Sequence, residues 1–426
     1  MKTQKSLSTD INAAEIGQLH QIDEKAQLDS RFSWLMVAAG LMLHFVTFGT
    51  MGSFGIYLAE YSKSQFSDQP KSVLSLVGSL GPAIIAVFTV PSGILVSKLG
   101  YRVNIIVGAI LMGLGLVISS FAQQVWTLFL GQAIILGVAV SLCFVPAVCI
   151  VPQWLDKYRG LGVGICSAGT GIGGLILAPL LQTIIDSLGW RWALRINGII
   201  CTIVLVICAL VLKPRVPFQP PKNIIDLEII KNPKFISLWC MGACSCFSYW
   251  VPFFIMPLYC YHFGIEASTA SLIVGTMSGA SAVGRVLIGK LSDKMGNINT
   301  LLISNFICAL SFILIWSFAT NTWSLIVFSL VYGTFSGAFF TSSILIAPQL
   351  FGLEKLPQVS GLYYTYFGPG YLTGAAIATS IINLYTVGDY INYVPCMFYL
   401  FGCYFASCIF IVLLRVQITK TIFEKI

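Results

Sequence analysis

Twelve apolar runs of 20–29 residues, separated by short clusters of charge, glycine and proline, occupy the chain from residue 32 to residue 415. A hydrocarbon core about 30 Å thick is crossed by about 20 apolar residues in a helix. Runs of that length, repeated twelve times, constrain the chain to an all-α membrane protein with twelve transmembrane helices. Only 9% of the residues are charged and 57% are hydrophobic, where a soluble domain carries about 25% charge. That balance excludes an ordinary soluble enzyme, a disordered regulator and a nucleic-acid-binding module.

The runs place helices at 32–59, 72–97, 103–122, 125–153, 160–182 and 191–212, then at 235–262, 269–291, 299–318, 323–350, 359–384 and 392–415. This divides the chain into a polar tail (1–31), an N-terminal six-helix bundle (32–212), a linker (213–234), a C-terminal six-helix bundle (235–416) and a second tail (417–426). The first tail has no apolar stretch followed by a small-residue cleavage site, so it reads as a cytosolic segment and not as a signal peptide. The linker carries Pro214, Pro217, Pro220 and Pro221. Of 24 Lys and Arg residues, 19 fall on the face of the two tails, 4 on the opposite face, and Arg285 within a span. Under the positive-inside rule both termini are cytoplasmic. The plasma membrane is the expected location ahead of a vacuolar or other internal membrane. The 13 cysteines lie in apolar stretches without metal-ligand spacing, so no metal and no cofactor is expected.

The two halves repeat one another. Gly93-Ile-Leu-Val-Ser-Lys-Leu-Gly100 follows the second helix, and Gly289-Lys-Leu-Ser-Asp-Lys-Met-Gly296 follows the eighth, 196 residues later. The same offset of 196 relates Val151-Pro152-Gln153 to Ala347-Pro348-Gln349. Parallel repeats of this kind place a solute site near the midplane between halves that rock against one another. The glycines permit close helix approach at a cytoplasmic gate, and Lys98, Arg102, Arg159 and Lys294 are cations able to meet helix C-termini there. Gly93, Gly100, Gly289 and Asp293 complete the expected gate.

These loops resemble the G-x-L-x-D-[RK]-x-G motif of the major facilitator superfamily, with Ser97 in the first copy and Asp293 in the second. A narrower resemblance is to the fungal branch of the monocarboxylate transporter family. Asp29-Ser-Arg-Phe-Ser-Trp34 resembles its entry to the first helix, with both glycines of D-G-G-[WF]-[GA]-W replaced. Trp154-Leu-Asp-Lys-Tyr-Arg-Gly-Leu-Gly-Val-Gly-Ile-Cys-Ser-Ala-Gly169 resembles Y-F-x-K-R-R-x-L-A-x-G-x-A-x-A-G, and Gly189-Trp190-Arg191 the entry to the sixth helix. Arg285, eight residues before Asp293, matches the eighth. The resemblance implies the twelve-helix fold, a small organic anion as solute, and Arg285 as its binding arginine. It also exposes departures. Where animal members have an Asp four residues before this Arg, the chain has Ser281; where they have a Lys in the first helix, it has Gly52. Ala133 occupies the place of the superfamily's fourth-helix arginine. Lactate–proton symport through those groups is therefore not supported.

Read residue by residue, Arg285 lies about 9 Å inside the end of its span, at 1.5 Å per residue. An intramembrane cation with no Asp or Glu in any predicted span points to a wet cavity and an anionic ligand, since a guanidinium matches a carboxylate with two parallel donors. The alternative is an arginine that snorkels to the gate or bonds backbone carbonyls. His44, the one histidine deep in a span, is a candidate proton relay or solute donor, or an imidazole bonded between helices. Tyr249 and Tyr363 stand beside Pro and Gly kinks as candidate cavity residues for a flat ring, against a packing role. Gly169-Thr-Gly-Ile-Gly-Gly174 only partly resembles the antiporter motif G-P-x-x-G-G, with Thr170 in place of proline. No P-loop suggests ATP drive, and no catalytic constellation suggests an enzyme.

The expected function is transport of a small organic anion across a lipid bilayer by alternating access, as symporter or uniporter, with protons a candidate second partner. A carrier of riboflavin or another larger solute is the alternative on the same fold. A non-transporting sensor or receptor is the alternative of another class, and its usual long signalling extensions contrast with tails of 31 and about 11 residues.

Overall fold

The computed structural model describes residues 28–216, 226–386 and 391–419. Most of both polar tails, and Pro217, Pro220 and Pro221 of the linker, lie outside the described residues. α1 begins at Ser30, whose hydroxyl accepts from the Ser33 N–H while Ser33 reciprocates in a capping box, satisfying donors that a helix start leaves open. It runs as Arg31–Gly52 and, past a break at Ser53, as Phe54–Lys63. Lys71–Ser120 turns at Gly100, with φ 81° and ψ 170°, into α2 (71–99) and α3 (101–120). α4 comprises Val125–Leu128, a π-helical stretch Phe129–Ile135 and Leu136–Trp154. α5 is Arg159–Leu188 and α6 is Trp190–Val211. A short helix, Leu227–Lys231, lies in the linker.

The second half follows the same course. α7 is Pro233–Tyr249 and Val251–His262, broken at Trp250. α8 is Ala267–Met295, and α9 is Asn297–Leu314 with a 3₁₀ turn, Trp316–Phe318. α10 is Thr322–Ser336 and Ala338–Phe351. α11 is Leu356–Tyr363, a 3₁₀ turn Tyr364–Tyr366 and Phe367–Leu384, and α12 is Val394–Ile418. Ten helices among the described residues are long and apolar enough to cross a membrane. One of these, Val73–Ser120, folds back on itself, since Asn104 Nδ2 donates to Ser92 Oγ at 3.1 Å. Counting that pair as two and adding the interrupted α11 makes the expected twelve.

Gly100 and Gly296 hold counterpart places in the repeat, with φ values of 81° and 89° and extended ψ. That region belongs to glycine, so each loop reverses the chain within one residue. The loops and helix ends of this side form one polar face. Asp29 accepts from the backbone of Asp156, Lys157 and Tyr158 at 3.1–3.4 Å. Trp154 Nε1 donates to the Lys213 carbonyl at 2.9 Å, and Gln417 Nε2 to Ser237 Oγ at 3.1 Å. The start of α1 and the end of α12 therefore share this terminal face.

The halves meet along two seams near it. In the α5/α8 seam, Gly160 and Gly289 stand backbone to backbone, and Gly164 lies against the Arg285 carbonyl. In the α2/α11 seam, Gly93 lies against the Pro357 carbonyl and Gly361 against that of Thr89. A side chain at any of these glycines would collide with backbone. Further along this α5/α8 seam Gly171 faces Ala282 and Gly279 faces Leu175, while nothing lies within 4 Å of a Cβ placed on Gly174 or Gly275. The two halves are in close backbone contact at the terminal face.

Candidate functional site

Arg285 lies on α8, within the α5/α8 seam between the halves. It is 6% exposed. One terminal nitrogen, Nη1, donates to the Ser167 carbonyl at 2.9 Å and to the Thr170 hydroxyl at 2.5 Å, both on α5. The other, Nη2, donates to the Tyr249 hydroxyl at 3.1 Å on α7. The guanidinium lies 5.0 Å from the ring centroid of Phe340, on α10. Gly337, where α10 breaks, leaves room for the arginine stem, since a Cβ there would sit 2.8 Å from Arg285 Cγ. No carboxylate is among these partners, and Nε is buried without a hydrogen bond among the described residues.

Both sequence readings of this arginine have a counterpart in its geometry: it bonds a backbone carbonyl, and it keeps a donor unused. The observed helices run past the predicted spans and take in Glu60, Asp186 and Asp293 near their ends, yet none of these reaches Arg285. Ser281, one turn earlier on α8, has a buried hydroxyl without a partner among the described residues.

His44 does not touch Arg285. Its Nδ1 lies 3.0 Å from the Gly40 carbonyl and 3.4 Å from Cys166 Sγ. Because a carbonyl only accepts, Nδ1 carries the proton in that bond and Nε2 is left as acceptor. The imidazole stacks at 6.0 Å on Phe48 and meets Phe144 edge-on at 5.8 Å. Phe144 in turn meets Tyr364 of the other half at 4.7 Å. From Tyr364 the chain of rings continues through Phe367 at 5.2 Å to Phe340 at 5.4 Å, which returns to Arg285. This aromatic floor joins the histidine and the arginine across the interface. Tyr363 points elsewhere: its hydroxyl donates to Ser343 at 2.6 Å, and it packs with Tyr366 over Gly242 within the second half.

Sequence reasoning misses Thr170, Ser167, Phe340 and Phe144 as site residues, and it raises Tyr364 only as one of the eleventh helix's aromatics, behind Tyr363. Thr170 stands in the antiporter pattern as its departure, and Ser167 at a variable position of the Trp154–Gly169 motif. A separate small cavity lies inside the first half, lined by Thr50, Phe54, Tyr57 and Gln132 among others. Gln132 belongs to the π-helical stretch of α4 and accepts from the Tyr61 hydroxyl at 3.2 Å.

Of the expected gate residues, Gly93 and Gly289 form the seams described above, and Gly100 makes the reversal. Asp293 reaches across to α5, its two oxygens accepting from the Gly160 N–H at 2.6 Å and the Leu161 N–H at 2.9 Å. Arg102 donates to the Leu210 carbonyl at 3.4 Å and Arg159 to that of Leu155 at 2.8 Å. These are helix C-terminal carbonyls, but they belong to the same half as the arginines. Lys98 and Lys294 are exposed.

The family model described as Major Facilitator Superfamily matches residues 36–266 and 238–422. Among curated proteins, the chain is 27% identical over 355 residues to "MFS-type transporter pynF" of Aspergillus niger, covering 82% of each. It is 29% identical over 356 residues to "Agnestins efflux protein AgnL12" of Paecilomyces divaricatus, covering 82% of this chain and 81% of that protein. Among solved structures, it resembles the superfamily transporter FucP in the outward conformation, with TM-score 0.70 and 16% identity over 92% of this chain and 100% of that one. This last likeness concerns the fold.

Proposed function

The chain belongs to the Major Facilitator Superfamily, and from that premise we propose that this multi-pass membrane transporter moves a small organic anion by alternating access. It is a carrier and not an enzyme. The observation that carries the reading is Arg285: a buried cation at the junction of the halves, without a carboxylate and with its Nε unbonded. A carboxylate entering from the face opposite the termini would meet that guanidinium, with the Tyr249 and Thr170 hydroxyls as exchangeable partners. Ser281 and the Nε2 of His44 are the further polar atoms assigned to the solute, and Tyr363 backs the aromatic wall. The two Gly-x-Leu loops latch the terminal face, which is cytoplasmic on the charge count. The six-helix bundles 32–212 and 235–416 are the rocking units.

A second reading, a larger flat solute such as riboflavin, draws on the aromatic floor from Phe144 to Phe340 and on a relative named for agnestin efflux. Reconstituted vesicles carrying this protein would be tested for uptake of labelled pyruvate and, separately, of riboflavin. Pyruvate flux that disappears in Arg285→Ala supports the anion reading. Riboflavin flux without pyruvate flux supports the second, and flux of neither overturns both.

A further inference from the structure

The terminal-face gate has two seams related by the repeat, and their chemistry is unequal. In the α5/α8 seam Asp293 caps the start of α5 through the N–H groups of Gly160 and Leu161. First-turn N–H groups have no partner inside their own helix, and the positive end of the helix dipole favours a carboxylate there. Arg285 adds a second tie to the same helix through Ser167 and Thr170.

Subtracting 196 carries Asp293 to Ser97, while the helix starts and the seam glycines, Gly164 against Arg285 and Gly361 against Thr89, relate α5 to α11 by 197 and carry Gly160 and Leu161 to Pro357 and Gln358. Ser97 has no carboxylate, and its hydroxyl donates to Gly93 of its own helix at 3.0 Å. Pro357 has no N–H to offer. The acceptor and one donor are therefore both missing from the counterpart seam, although its backbones still pack closely at Gly93 and Gly361. Position 89, the counterpart of Arg285, is a threonine whose hydroxyl bonds Ala86 of its own helix at 2.8 Å.

We propose that this gate is one-armed. The α2/α11 seam parts when the terminal face opens, while the α5/α8 seam, tied by Asp293, stays close and serves as the hinge. The proposal rests on alternating access and is independent of the solute.

Val90 and Val286 are counterpart residues, one in each seam, beside Gly361 and Gly164 respectively. Val90→Cys and Val286→Cys would be labelled separately with an impermeant thiol reagent applied to the terminal face of full-length protein in proteoliposomes, the parent chain giving the background of its 13 cysteines. Loss or gain of charge-assisted bonds sets a scale of about tenfold. Val90→Cys is expected to label about tenfold faster than Val286→Cys on that scale. Adding Ser97→Asp with Pro357→Leu, which rebuilds acceptor and donor, is expected to slow Val90→Cys labelling by a similar factor, with the rate at Val286→Cys as the check on folding. Asp293→Asn is expected to speed labelling at Val286→Cys. Equal rates at the two positions, or no response to the rebuilt cap, overturn the one-armed gate. Labelling at neither overturns alternating access itself.

Discussion

Arg285 spends its terminal nitrogens on neutral oxygens and keeps Nε free, so an anion gains by exchange. A charge-assisted pair of this kind contributes about 1.5–3 kcal/mol. Arg285→Ala is accordingly expected to lower kcat/KM for an anionic solute by about a hundredfold, and Arg285→Lys by about tenfold, because an ammonium lacks the fork. Tyr249→Phe removes one positioning bond and is expected to raise KM severalfold, with protein abundance unchanged. For His44 the readout is the gradient: His44→Ala is expected to abolish any response of uptake to an inward proton gradient, and an unchanged response removes the histidine from coupling. Arg285 stands out in the sequence because a cation inside an apolar run is costly to insert and needs a partner or a role to persist there. Ser167, Thr170 and Phe340 do not stand out, because neutral residues in apolar helices carry no local signal of what they face. Tyr249 and Tyr363 look alike as aromatics beside kinks; only packing sends one to the arginine and the other to Ser343.

The helices themselves are legible from run length, since a span has to be about 20 apolar residues whatever its neighbours. Their interruptions are less so. Breaks at Ser53, Trp250 and Gly337 and the 3₁₀ turn Tyr364–Tyr366 arise where a helix bends round others. The π-helical stretch of α4 leaves no sequence mark. The glycine reversals are visible as a repeated motif, and they make a sharp prediction. A Cβ at Gly100 meets nothing within 4 Å, so the cost of Gly100→Ala is backbone conformation alone, about 1–3 kcal/mol. Gly55 also has free space but sits in ordinary helix. Thermal unfolding in detergent is expected to show a lower midpoint for Gly100→Ala and none of that loss for Gly55→Ala.

For the whole molecule, the repeat predicts two equivalent halves, and the fold has them. Their inequality needs the contact of Asp293 with α5, because a helix start and a loop 133 residues away announce no partnership in sequence. The charge asymmetry makes orientation testable: Ser67→Cys is expected to react with an impermeant reagent on intact cells, and Lys157→Cys only after permeabilisation. The lone central arginine has one further consequence, electrical in kind. A carrier holding one buried positive charge and a monovalent anion moves a neutral pair when loaded, and a bare positive charge when it returns empty. Membrane voltage acts on the charged step only, with up to about 2.3 kcal/mol per 100 mV for a full crossing. Current recordings should therefore find the voltage dependence of turnover in the empty return, and find it gone when solute is saturating on both sides and exchange replaces net flux.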